Sequence, residues 1–308
     1  NAWLNEGFAT FLTYAWREYD KGRDAAEYGR RWMISSVRWA DESNRRPMVQ
    51  YYYESDMDLF DSNIYAKGAL VLNMLRQMLG YDAFWRTIRH YTNTYQFKNV
   101  ESQDLKRVFE DVTGQNLDWF FDQWVYTGGL PHLDIKYKYN RRNQHVKLTI
   151  RQIQDVASSS LFRLPLTVLI DNGELKEHTV WVEDKETVFD IPCDNRPKMV
   201  VFNSGIRVPC KLKMDNSVAD LKYQLVNSPS SLDRIWAAHA LSKKKGRKIV
   251  EYILLDAAKG DSFWGVRKEA CIAFGKLKPN INSTDFAWLD NEKDNRVKRA
   301  FIGILKHS

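Results

Sequence analysis

At 308 residues the chain is long enough for two or three domains and a substantial buried core, and eleven tryptophans, fifteen tyrosines and fifteen phenylalanines supply bulk for it. Its net charge of +7 is spread along the whole length, apart from a dense run over Lys243-Lys244-Lys245-Gly246-Arg247-Lys248. Without interleaved aromatics or a recognisable module, this pattern describes a solvated surface and an interhelical loop, and no nucleic-acid partner is expected. The three cysteines, Cys193, Cys210 and Cys271, are odd in number and lack C-x-x-C spacing, which argues against a structural zinc site or a disulfide framework. Cys193 and Cys210 fall near strand ends, and whether they pair is left open. No run of about eighteen apolar residues occurs, so no membrane span is expected in this stretch. The chain opens on Asn rather than Met, and it specifies neither compartment nor oligomeric state.

Residues 1 to about 128 read as helices. From Leu4 the apolar positions Leu4, Phe8, Phe11, Leu12, Ala15, Trp16 and Tyr19 recur at three and four, the spacing of one helical face, and Glu6 lies off that face. A second helix is expected over residues 25–40. A third begins near Ser62, a suitable N-cap, carries Val71, Met74, Leu75, Met78 and Leu79 on one stripe, and stops at Gly80. Further helical periods cover residues 83–95, 102–112 and 117–126, and Gly128-Gly129-Leu130-Pro131 halts the last of them.

After Pro131 the period changes to two. Alternating segments at residues 133–139, 146–150, 164–170, 177–182, 187–191 and 199–202 predict six or seven short strands, with turns at Asn140 to Asn143 and at Asp171-Asn172-Gly173. Such a series suggests a small β-sandwich.

From about Ser217 the helical period returns with a weak repeat. Ala237-Ala238-His239-Ala240-Leu241, Ala270-Cys271-Ile272-Ala273-Phe274 and Ala300-Phe301-Ile302-Gly303-Ile304 align at offsets of 33 and 30 residues. These offsets are shorter than the roughly 40 to 47 residues of HEAT units, yet small residues alternating with large ones suit a compact HEAT-like stack of helix pairs.

Two short segments carry chemistry. In Trp3-Leu4-Asn5-Glu6-Gly7-Phe8-Ala9, Glu6 alone would be an ordinary acidic residue in a first helical turn, where the macrodipole favours negative charge. Set opposite the apolar stripe, it can also reach a metal held by a neighbouring helix, and Gly7 would let that helix come close. In Asn63-Ile64-Tyr65-Ala66-Lys67-Gly68-Ala69, Tyr65 alone would be a core residue at a helix start. A phenol also donates a strong hydrogen bond to a developing oxyanion without adding a charge that competes with a metal.

Both segments resemble the M1 family of gluzincin aminopeptidases. The first is similar to that family's W-L-N-E-G-F-A, whose Glu is the third zinc ligand in H-E-x-x-H-x18-E, and the second to its Y-x-K-G-A, whose tyrosine stabilises the tetrahedral oxyanion. Phe84-Trp85-Arg86-Thr87-Ile88 with Tyr91, then Asp104-Leu105, Phe120-Phe121, Trp124 and Gly129-Leu130-Pro131, follow the family's pattern for the end of its catalytic domain. The resemblance implies Glu6 as a metal ligand, Tyr65 as a catalytic residue, Zn2+ as the cofactor of the parent enzyme, and peptides with a free N-terminus as its substrates.

The expected fold class is multidomain α+β. Residues 1–130 form the α-helical C-terminal half of a thermolysin-like catalytic domain, residues 131–213 a small β-sandwich, and residues 214–308 an α-helical HEAT-like repeat domain. Counted back from Glu6, the family's H-E-x-x-H helix and its G-x-M-E-N strand fall before Asn1. The six histidines present, His90, His132, His145, His178, His239 and His307, do not rebuild the missing pair. The chain therefore reads as a C-terminal fragment of a zinc aminopeptidase, expected to be inactive alone and to hold no zinc. The alternative is a non-catalytic M1-like scaffold with a protein partner at the repeats; retention of both Glu6 and Tyr65 favours the enzyme.

Overall fold

In a computed structural model, the structure describes residues 1–155, 160–244, 246, 248–279 and 283–306, so Lys245, Arg247 and His307 lie outside the described residues. The first helices, α1 (Trp3–Lys21) and α2 (Arg23–Ser43), are separated by a single residue, Gly22, whose φ of 82° makes the reversal. A π-helix over Asn63–Lys67 runs into α3 (Gly68–Leu79), and Gly80 at φ 86° turns the chain into α4 (Tyr81–Tyr95). Helices α5 (Ser102–Thr113) and α6 (Asp118–Trp124) complete this part.

The stripe expected on α1 divides. Trp3, Leu4, Gly7 and Phe11 are buried, whereas Leu12, Trp16 and Tyr19 are 44%, 65% and 83% exposed. The reason lies in α2, where Gly29 leaves a gap that the Tyr14 ring fills; a Cβ at Gly29 would meet that ring at 2.4 Å. The Tyr14 side of the helix therefore turns inward, and the Leu12-Trp16-Tyr19 side turns out.

Four strands, β1 (His132–Asn140), β2 (His145–Gln152), β5 (Glu186–Pro192) and β7 (Lys211–Met214), form one sheet in the order β5-β2-β1-β7. Strands β3 (Leu164–Asp171), β4 (Leu175–Val182) and β6 (Met199–Phe202) form a second, in the order β4-β3-β6. The β3–β4 hairpin turns at Gly173, whose φ is 118° and whose amide donates to Asp171 Oδ1 at 2.9 Å. Strand β7 pairs parallel to β1, with His132 opposite Lys211. Inward residues of both sheets, Leu133, Val146, Leu148, Ile150, Leu166, Val168 and Val200 among them, join the helices in one continuous core. The cysteines are free and buried: the Cys193 thiol donates to the Asn195 carbonyl at 3.0 Å, and Cys210 Sγ accepts from Asn203 Nδ2 at 3.3 Å.

The remaining helices, α7 (Val218–Asn227), α8 (Ser231–Leu241), α9 (Lys248–Gly260), α10 (Trp264–Gly275) and α11 (Asn295–Ile302), share a second core. Ser217 caps α7 with a reciprocal Ser217–Asp220 box. The repeated segments fall in α8, in α10 and across the end of α11, alternating with α7, α9 and a 3-10 helix over Ser283–Asp290. Their small residues, Ala237, Ala238, Ala270, Cys271 and Ala273, are fully buried, which brings α8 against α10.

Two buried glutamates dock these helices onto α2 and its neighbours. Glu27, 2% exposed, accepts from Ser230 Oγ at 2.7 Å and Ser231 Oγ at 3.1 Å at the start of α8. Glu269, 1% exposed, accepts from Tyr28 and Arg31 of α2 at 2.9 and 3.0 Å and lies 3.0 Å from the His239 ring nitrogen. Glu269→Ala leaves Tyr28, Arg31 and His239 facing one another without the carboxylate they share, so it is expected to lower unfolding free energy by about 2 kcal/mol, as read from the denaturation midpoint; the partial exposure of Arg31 keeps the loss below that of a fully buried pair.

Candidate active site

Gly7 of α1 and Gly68 at the start of α3 meet backbone to backbone. A Cβ on Gly7 would stand 3.0 Å from Gly68 Cα and 3.2 Å from the Ile64 carbonyl, and one on Gly68 would stand 3.0 Å from Gly7 Cα. The residues just before each glycine, Glu6 on one helix and Tyr65 and Lys67 on the other, are thereby set at one crossing. The close approach expected at Gly7 is present.

Each side of the crossing is pinned by its own hydrogen bonds. The Trp3 indole, fully buried, donates to Ser102 Oγ at 2.9 Å, and Asn1 Oδ1 accepts from the Ser102 amide and hydroxyl at 3.0 and 2.6 Å. Phe8 stacks on Tyr91 with ring centroids 5.9 Å apart. These contacts use the inner face of α1 and leave Asn5 exposed and Glu6 half-buried on the outer one. On the other side, Arg46 grips Asp61 with two bonds of 3.0 and 2.7 Å, and Asp61 accepts the Asn63 amide at 2.8 Å and its side chain at 2.9 Å. This fixes the entry to the π-helix, whose wider turn carries Tyr65 toward α1.

Tyr65 is partly buried, and its phenol is near enough to the Glu6 carboxylate to feel its charge. Loss of solvent pushes the phenol above its usual pKa, and the negative charge of Glu6 and hydrogen bonding to it push in the same direction. Tyr65 therefore keeps its proton at neutral pH and acts as a donor.

Lys67 was not singled out from sequence as a site residue. It is 1% exposed, and its Nζ donates to the Thr127 carbonyl at 3.2 Å, tying the π-helix to the turn before Gly128. Burial pushes its pKa down to about 8; Arg46 adds to the shift, and Asp41 and Asp61 oppose it. Asp41 forms a second anchor nearby. It accepts the Leu130 amide at 3.0 Å, lies 3.0 Å from the His132 ring nitrogen, and pairs with Lys211 at 2.8 Å. Burial raises the Asp41 pKa, but the Lys211 and His132 contacts outweigh it and hold the carboxyl below its usual value. Among the described residues, no group of three His, Cys, Asp or Glu is placed to hold a metal. Glu6 and Tyr65 come together; the described histidines do not join them.

Residues 1–124, which contain both, match the family described as the Peptidase family M1 domain. Over these residues the chain is similar to that family. Residues 128–232 match the TAF2 Ig-like domain. Tricorn protease-interacting factor F2 of Thermoplasma acidophilum is 29% identical over 191 residues, covering 59% of this chain and 24% of that protein. Aminopeptidase M1-D of Oryza sativa subsp. japonica is 30% identical over 187 residues, covering 57% of this chain and 20% of that protein. The chain thus spans about a quarter or less of these curated relatives. In fold it is similar to the crystal structure of Legionella pneumophila aminopeptidase A in complex with aspartic acid, with a TM-score of 0.69 over 97% of this chain and 35% of that one at 18% identity. The mixed α+β class holds: helices, two small sheets, then helices.

Two tests bear on the M1 segment. Gly7→Ala and Gly68→Ala each drive a methyl into backbone and are expected to cost about 1–3 kcal/mol in chemical denaturation. Gly260→Ala, whose Cβ would meet nothing within 4 Å, is expected to be neutral or slightly stabilising. Lys67 gives a pH signature. Its folded pKa of about 8 lies below the ordinary 10.5, so above pH 8 the unfolded chain holds a proton that the folded chain has released. Stability from this group is lowest below pH 8 and rises toward 10.5. Relative to Lys67→Met, the wild-type chain is expected to gain about 2 kcal/mol between pH 7 and 9.5 in urea unfolding.

Proposed function

We propose that this chain supplies the carboxylate and phenol side of a zinc aminopeptidase centre, with Glu6 as one metal ligand and Tyr65 as the hydrogen-bond donor to the oxyanion. The reading rests on one observation: the glycine crossing sets a half-buried carboxylate and a protonated phenol side by side within the M1 segment. A catalytic zinc takes three protein ligands, and the described residues supply one, so the other ligands lie outside them. Bound zinc would polarise the scissile carbonyl and lower the pKa of its water. The raised pKa of Tyr65 favours donation, because a neutral phenol can bond the oxygen on which charge develops and carries no charge of its own to disturb the metal. Peptides with a free N-terminus follow as the substrate class from the names of the aminopeptidase relatives. The division at residues 1–130, 131–213 and 214–308, with a β-sandwich and HEAT-like pairs in the last two, belongs to the same proposal.

Three measurements test it. The purified 308-residue chain is expected to hold well under one equivalent of zinc by emission spectrometry and to leave aminoacyl anilides intact; one tightly bound zinc would sink the assignment of Glu6 as a lone contributor. The coding sequence upstream of Asn1 is expected to carry H-E-x-x-H at the x18 spacing from Glu6, whereas a degenerate motif there would favour the scaffold reading with a protein partner at the repeats. In the protein made from that longer sequence, Tyr65→Phe is expected to lower kcat by about 10²–10³ with zinc content unchanged. An unchanged kcat would remove Tyr65 from the reaction.

A further inference from the structure

Away from the Glu6–Tyr65 crossing, a cavity of about 280 Å3 opens between α1, α2, α3 and the turn at Gly205, and neither Glu6 nor Tyr65 lines it. Its charge is uneven, with four arginines, Arg23, Arg30, Arg76 and Arg207, against two glutamates, Glu18 and Glu27. Three of the arginines are satisfied by close carboxylates. Arg23 meets Glu27 at 2.8 Å, Arg76 meets Glu18 at 2.8 Å, and Arg207 meets Glu177 at 2.7 Å. Arg30 is not, since its nearest carboxylate, Glu27, stands 3.9 Å away.

The Asn73 side chain, 4% exposed, sits between Arg30 and Arg76. Its Oδ1 accepts from Arg30 Nη1 at 3.2 Å and from Arg76 Nη2 at 3.3 Å. That arrangement leaves two buried groups without a protein partner, Arg30 Nε and Asn73 Nδ2. Both are N–H donors that accept nothing, so whatever satisfies them must be an acceptor. Two guanidiniums converging on one neutral amide oxygen favour an acceptor that is negatively charged. Burial and the neighbouring charge of Arg76 hold the Arg30 pKa below its ordinary value, the direction expected of a cation short of countercharge.

We propose that this cavity binds a small oxyanion, with Arg30 Nε and Asn73 Nδ2 as its donors and Arg76 as a flanking charge. The apolar walls at Phe11, Met33 and Ala69 leave room for a small organic group beside the anionic head. Phosphate and carboxylate share the required chemistry. The proposal does not depend on the catalytic reading.

The test is calorimetric titration of the 308-residue chain with inorganic phosphate and, separately, with succinate, at ionic strength matched by sodium chloride. Saturable one-to-one binding of either supports the proposal, and the anion that binds names the source. Arg30→Lys keeps the charge but removes the Nε donor, and about tenfold weaker binding is expected from the loss of one charge-assisted hydrogen bond. Asn73→Asp is isosteric, keeps the acceptor that both arginines use, and replaces the free donor by negative charge, so the fold is retained and binding is lost. No saturable heat beyond the chloride control with both anions, or Asn73→Asp binding as tightly as wild type, would overturn the proposal.

Discussion

The contact between Gly7 and Gly68 sets the spacing of everything around the candidate site. With any larger residue at either position the helices separate by the width of a side chain, and Glu6 and Tyr65 no longer share one crossing. Close approach of this kind needs no attraction of its own. It needs the absence of Cβ atoms together with enough packing on both sides to press the backbones together, and Trp3, Phe11, Leu70 and Leu72 supply that packing from positions almost fully shielded from solvent. Glu6 and Tyr65 sit on separate elements, and the glycines hold the two elements in register.

Helix α2 serves the same purpose at longer range. Its 21 residues span about 30 Å at the usual helical rise, long enough to touch each part of the chain. Near its start Glu27 and Tyr28 engage α8 and α10, in its second half Arg38 donates to the Cys210 carbonyl at 2.9 Å, and near its end Asp41 holds Leu130, His132 and Lys211. Most of these attachments pass through buried carboxylates. Each such group is costly to desolvate and tolerable only when its partners are in place, so the joints are specific in geometry as well as adhesive. Packing alone would let the C-terminal helices slide on their small-residue surfaces.

Much of this arrangement could be read before the structure, and the exceptions have physical causes. The period of α5 and the alternation of β1 and β2 follow from burial on one face, which a sequence records directly, whereas α3 is buried all round over its first eight residues and β3 on both faces, so the single stripe expected on α3 understates its burial. The position of Glu6 opposite the buried residues of α1 follows from the same rule. Strand β7 escaped notice because four residues, Lys211-Leu212-Lys213-Met214, are too few to establish alternation, and its parallel partner β1 lies far upstream. The π-helix at Asn63–Lys67 has no sequence period, since one wide turn is stabilised by what anchors it, here Arg46 and Asp61. Lys67 was invisible as a buried cation for a related reason. Its stem and charge look like any surface lysine until Thr127 and the surrounding core enclose it.

The same features decide what kind of chemistry Tyr65 can take part in. A tyrosine beside a carboxylate and partly shielded from water is a poorer acid than one in solution, so it cannot serve as a base that has already lost its proton near neutral pH. A lowered pKa would have required a cation nearby, and the closest lysine in the motif, Lys67, turns its ammonium inward to Thr127 rather than outward to the phenol. Segregating that cation into the core leaves the outer face of the crossing with one carboxylate and one neutral donor. A carboxylate is an oxygen ligand for a divalent metal, and a neutral donor beside it suits an oxygen that becomes negative during reaction. The distribution of charge across the crossing, inward cation and outward anion, therefore follows from the burial of Lys67 as much as from the placement of Glu6.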